Sequence, residues 1–81
     1  MPTVFRLDSI KIDLYSRDHL PPHMHVLYGE HEALLIISSL EIYAGSLPVK
    51  PLRMVRKWAS DSVIKKRLLE TFYSLNPNLR K

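Results

Sequence analysis

Hydrophobic positions recur with a period of two over the first half of the chain and with a helical period over the second. Residues 3–7 and 10–15 read as two strands. In the second, Ile10, Ile12 and Leu14 alternate with Lys11, Asp13 and Tyr15. Asp8-Ser9 between them is the length of a two-residue hairpin turn, without the usual glycine. That register sets Phe5 opposite Ile12 and Leu7 opposite Ile10. It predicts a core face of Phe5, Leu7, Ile10, Ile12 and Leu14, and a wet face of Arg6, Lys11, Asp13 and Tyr15.

Residues 16–22 form the longest irregular link. Pro21 and Pro22 remove two backbone donors and fix φ, and Pro21 holds Leu20 extended, so a new element begins after them. Residues 23–28 read as a third strand, with His23 and His25 on one face and Met24 and Val26 on the other. Gly29-Glu30 suits a type II′ turn into a fourth strand over residues 31–37. This register places His25 opposite Leu34, His23 opposite Ile36 and Glu32 opposite Leu27. The run Ala33-Leu34-Leu35-Ile36-Ile37 is apolar on both faces and predicts a central, covered strand. A short fifth strand over residues 40–43 is ended by Ala44-Gly45-Ser46.

The second half is helical. Pro48 and Pro51 fit the lead-in and first turn of a helix whose apolar side is Leu52, Met54, Val55, Trp58 and Ala59. Ser60-Asp61-Ser62 supplies a break and an N-cap. Ile64, Leu68, Phe72 and Leu75 mark a second amphipathic helix, which Asn76-Pro77 ends. Two hairpins, an edge strand and then two helices predict an α+β fold: an antiparallel sheet of four to five strands with two C-terminal helices on one face. One domain is expected over residues 1–81, with the sheet in 1–43 and the helical pair in 48–76.

Composition sharpens this picture. At 81 residues the core is thin, since such a chain buries only about 60–65% of its unfolded surface. The absence of cysteine excludes disulfides and thiolate metal sites. The sequence shows no membrane-length apolar run and no charged-then-apolar leader, so a soluble, cytoplasmic protein without membrane association is expected. Charge is divided. Residues 1–47 carry three cations against six acids, and residues 48–81 carry nine cations against two. A basic back half points to an acidic partner, either nucleic acid or protein, or simply to a solvated helical face.

Candidate chemistry concentrates between residues 17 and 25, where three of the four histidines lie. His19, His23 and His25 are the candidate catalytic residues. Histidine titrates near neutrality, and beside cations such as Arg17 it is equipped to take a proton from a 2′-hydroxyl during RNA cleavage. His23 and His25 also suit a metal ion, with His19, Asp18 or Glu32 as the third ligand. The spacing does not choose among these three, so no metal set is assigned and no cofactor is expected. The alternative is structural: one ring packs against the leucines of the fourth strand while the other bonds the backbone. Lys50, Arg53, Arg56, Lys57, Lys65, Lys66 and Arg67 form a basic stripe fit to neutralise phosphates, with Arg17 and Asp18 as further binding or loop-capping groups. Lys65, Lys66 and Arg67 oppose the dipole at a helix start, which an anionic partner would offset. Trp58 and Tyr73 lie at core spacing rather than as stacking platforms.

Met1-Pro2-Thr3-Val4-Phe5, Tyr15-Ser16-Arg17-Asp18-His19 and Pro21-Pro22-His23-Met24-His25-Val26, followed by Gly29 and Ala33, resemble the small bacterial domain-of-unknown-function family 4160. The Pro-Pro-His-x-His-Val core of that family is matched by Pro21, Pro22, His23, His25 and Val26. The C-terminal helices of the family often carry more glutamate than these do. The resemblance implies a neighbouring gene for a small protein of domain-of-unknown-function family 2442, in a pair suspected of toxin–antitoxin character. The expected function is therefore a small cytoplasmic component of a two-gene module that binds a cognate small protein. RNA or DNA and a second copy of the chain are further candidate partners. The alternative is a histidine-dependent ribonuclease or metal-assisted hydrolase.

Overall fold

A computed structural model describes residues 3–16 and 18–79. Arg17, assigned above to binding, lies outside the described residues. Five strands, β1 (Thr3–Leu7), β2 (Ile10–Leu14), β3 (His23–Tyr28), β4 (His31–Ile36) and β5 (Ile42–Gly45), precede two helices, α1 (Val49–Ala59) and α2 (Ser62–Leu75), and a 3-10 turn over Pro77–Leu79. The strands form one antiparallel sheet in chain order, β1-β2-β3-β4-β5. This is the expected α+β architecture.

The hairpin registers follow the alternation. Phe5 pairs with Ile12 and Leu7 with Ile10. His23 pairs with Ile36, His25 with Leu34 and Leu27 with Glu32. Asp8 takes the left-handed turn conformation at φ 59° where glycine is usual, and Gly29 takes φ 57° at the first central position of the second turn. Ile10, Ile12, Leu14, Met24, Val26, Ala33, Leu35 and Ile37 join Val55, Ala59, Leu68 and Phe72 in one hydrophobic cluster, so the sheet and both helices share a core. Among the described residues no helix is long and apolar enough to cross a membrane.

Three expectations are corrected. Asp13, placed on a wet face, is only 2% exposed. Parity assigned its side of the sheet correctly, but Tyr15 and Lys11 close over that side at this point. The fourth strand is covered on one face only, because Ala33 and Leu35 are buried while Leu34 and Ile36 are half-buried. The fifth strand starts two residues later than the apolar pattern suggested. Residues 37–40 form the reversal, closed by the Leu40 N–H on the Ile36 carbonyl at 2.7 Å, with Leu40 at φ 63° and its side chain buried. A register shift at Leu34/Leu35 leaves Tyr43 as the extra residue of β5.

Candidate histidine–aspartate centre

The Pro21-Pro22 step launches β3, so strand parity sends His23 and His25 to the same side of the sheet. Their ring centroids stand 5.3 Å apart. His23 is 1% exposed, wedged against Phe72 at 5.8 Å and Tyr43 at 5.9 Å between centroids. His25 meets the Tyr15 ring edge-on at 4.6 Å. The preceding loop folds back and delivers Asp18 to both imidazoles. Asp18 Oδ2 lies 3.1 Å from His23 Nε2 and 3.4 Å from His25 Nε2. His19 stands at the open edge, 60% exposed, with Nε2 3.8 Å from Asp18 Oδ1 and its ring 4.9 Å from that of His23.

Asp18 is held from the far end of the chain. Asn76, the residue that ends α2, is buried and accepts the Asp18 N–H on Oδ1 at 2.7 Å. Its Nδ2 donates to the Tyr15 carbonyl at 2.9 Å and the Phe72 carbonyl at 3.0 Å. One amide side chain thus ties the first part of the irregular loop, at Tyr15 and Asp18, to the helix terminus. Asp18 Oδ1 also accepts the His19 N–H at 3.0 Å, which fixes the carboxylate plane.

Hydrogen bonding determines the tautomer of His23. Its Nδ1 lies 2.8 Å from the Pro21 carbonyl oxygen. A carbonyl only accepts, so Nδ1 carries a proton, and Nε2 is the ring position left to face Asp18. That Nε2 is buried and, although close to Asp18 Oδ2, makes no aligned hydrogen bond with it. On the other ring, His25 Nδ1 faces Glu32 Oε2 at 3.5 Å. Asp18 thus reaches both imidazoles and Glu32 reaches one, while Asp13, the cross-strand neighbour of His25, has Lys11 Nζ at 3.5 Å as its countercharge. The Tyr15 hydroxyl donates to Asp13 Oδ2 at 3.1 Å. Burial first, and then this hydrogen bond and the charges of Asp13 and Glu32, raise the Tyr15 phenol above its ordinary range.

The predicted site residues separate into three groups. Asp18, His23 and His25 come together, each offering one ligand atom with all three atoms within 4.8 Å of one another, and His19 borders them. Arg56 and Lys65, read as part of a basic stripe, serve the β4–β5 reversal: Arg56 Nε donates to the Leu40 carbonyl at 3.0 Å and Lys65 Nζ to the Ser38 carbonyl at 2.7 Å. Lys50, Arg53, Lys57, Lys66 and Arg67 are exposed and form no ion pair among the described residues. Asn76, Tyr43 and Asp13 were not legible as site residues. Asn76 acts across 58 positions, and Tyr43 is set by a bulge.

No curated protein and no solved structure matches the chain. A family model described as Domain of unknown function (DUF4160) matches residues 9–70. The match spans β2 to β5 with the Pro-Pro-His-x-His-Val segment, α1 and the first turns of α2, while the opening eight residues, β1 among them, fall outside it. The chain belongs to the DUF4160 family.

Proposed function

We propose that this chain is the small cytoplasmic component of a two-gene, toxin–antitoxin-type module and works by binding a cognate small protein. The observation that carries the reading is an apolar groove with a cationic border. Leu7, Met54, Trp58, Val63 and Ile64 line a depression of about 540 Å³, with Lys57 and Asp61 at its rim. Val63 is 67% exposed, an unusual position for a large apolar side chain. Asp61 is committed to the α2 N-terminus, where it accepts the N–H groups of Val63 and Ile64. The free charge at the groove is therefore Lys57, and Arg53 and Lys66 are exposed cations of the same two helices. An amphipathic segment with acidic flanks fits that chemistry.

Co-expression with the protein of the adjacent gene, followed by purification, tests this reading. The complex should survive Lys50→Ala and weaken at least tenfold with Val63→Asp or with Arg53→Glu and Lys57→Glu together. A monomer that retains no partner counts against it. Copurified nucleic acid with a steep salt dependence would move the function to RNA or DNA binding.

A second reading, a histidine-dependent ribonuclease or metal-assisted hydrolase, is favoured by the convergence of His23 and His25 on Asp18. The surrounding carboxylates repel a bare phosphodiester and attract a cation, so the metal-assisted version is the stronger of the two. Hydrolysis or growth inhibition that persists in a folded His25→Ala variant would dismiss it.

A further inference from the structure

We propose that Asp18 Oδ2, His23 Nε2 and His25 Nε2 bind one divalent first-row transition-metal ion, of which zinc is the type, with a coordination position left open on the side of His19. This site is independent of the groove and of any partner.

The first ground is distance. Ligand atoms about 2.1 Å from zinc at tetrahedral angles stand roughly 3.3–3.5 Å apart. The carboxylate oxygen is 3.1 Å from one imidazole nitrogen and 3.4 Å from the other. All three atoms lie within 4.8 Å of one another, so small ring rotations close the set around an ion.

The second ground is the free nitrogen of His23. With Nδ1–H committed to the Pro21 carbonyl, Nε2 is buried without a hydrogen-bond partner, 3.1 Å from a carboxylate oxygen with which it is not aligned. A buried polar atom left unpaired is costly, and a cation held between it and Asp18 would satisfy both.

The third ground is the outer shell. Metal-bound histidines donate their second ring N–H to a carbonyl or carboxylate, which fixes tautomer and orientation. His23 does so to Pro21, and His25 Nδ1 has Glu32 Oε2 at 3.5 Å. Asp18 is positioned through its own N–H on Asn76. Two imidazoles and one carboxylate disfavour calcium and magnesium, which take oxygen ligands, and suit zinc or ferrous iron. The half-buried rims of Asp18 and His25 and the exposed His19 leave an entry path.

Isothermal titration of chelator-stripped full-length protein with zinc chloride tests the site, with cobalt(II) absorption as a second readout. The expected result is one ion per chain in the micromolar range or tighter. His25→Ala and Asp18→Asn should each weaken binding at least tenfold, with circular dichroism confirming the fold. His31→Ala, on the exposed start of β4, should leave it unchanged. His23 is buried, so the two partly exposed ligands carry the test if His23→Ala fails to fold. No saturable binding by the folded wild type would overturn the proposal, as would equal losses in His31→Ala and His25→Ala.

Discussion

Replacing Asn76 by alanine should cost far more than its place at a helix end suggests. The side chain makes three hydrogen bonds in a buried setting, to the Asp18 N–H, the Tyr15 carbonyl and the Phe72 carbonyl. The Phe72 carbonyl keeps a partner after truncation, because the Asn76 backbone N–H also donates to it at 3.0 Å. The Asp18 N–H and the Tyr15 carbonyl lose theirs. Two stranded backbone groups at about 1–3 kcal/mol each, partly relieved by water, give a loss of roughly 2–4 kcal/mol. A domain this small has a stability of only about 5 kcal/mol, so about half or more would go. With a urea slope near 1 kcal/mol per molar, the unfolding midpoint should fall by about 2 M or more at an unchanged slope. Hydrogen exchange at the Asp18 amide should accelerate while the β3–β4 amides remain protected until global unfolding. Asn76→Asp keeps the acceptor for Asp18 but turns a carboxylate oxygen toward two carbonyls. The new acid therefore stays neutral more readily in the folded state. Relative to wild type, its penalty is absent below about pH 4 and grows as pH rises above that. A loss under about 0.5 kcal/mol for Asn76→Ala, at the level of an ordinary surface change, would refute this account of the loop.

Other outcomes follow from single features. Gly29 and Gly45 both have positive φ, 57° and 77°, but a Cβ at Gly29 meets open space whereas at Gly45 it runs into the Glu32 carbonyl oxygen. Gly29→Ala should cost about 1 kcal/mol and Gly45→Ala roughly 2–4 kcal/mol by urea unfolding, and equal losses would show that the β5 edge yields freely. Arg56→Ala and Lys65→Ala should each destabilise by about 0.5–1.5 kcal/mol through loss of the turn carbonyl bonds, whereas Arg53→Ala and Lys66→Ala should stay within about 0.5 kcal/mol of wild type. Tyr15 has a raised folded pKa, so the folded state holds its proton longer than the unfolded chain. That contribution is intact below the unfolded phenol value near 10 and is lost as pH rises through the folded value. Thermal unfolding from about pH 9 upward should therefore fall less steeply in Tyr15→Phe than in wild type.

The sheet was legible because two-residue turns and alternating side chains leave little freedom in register. Shifting His23–Tyr28 by one residue would turn both histidines onto the hydrophobic-core face and take Met24 and Val26 out of the cluster. The pairing of His23 with His25 was legible for the same reason. The arrival of Asp18 was not, since it depends on an amide 58 residues away and on a loop with no periodicity. Asp13 shows a related limit: alternation reports which side a residue faces, whereas its burial depends on Tyr15 and Lys11 closing above it. Arg56 and Lys65 show another. Charge spacing placed them on a stripe, but the carbonyls they serve become available only once residues 37–40 reverse the chain.

Each strand lies beside its sequence neighbour, so hairpins can zip up the sheet while the chain is still being made. The Asp18 tether waits for residue 76, which is made well after the last strand. A ribosome-bound chain would thus carry a nearly finished sheet with two correctly aimed imidazoles and an unanchored carboxylate. Capture by the two rings and Asp18 together would then begin only as the last turn of α2 docks, so the centre matures after the sheet that carries it.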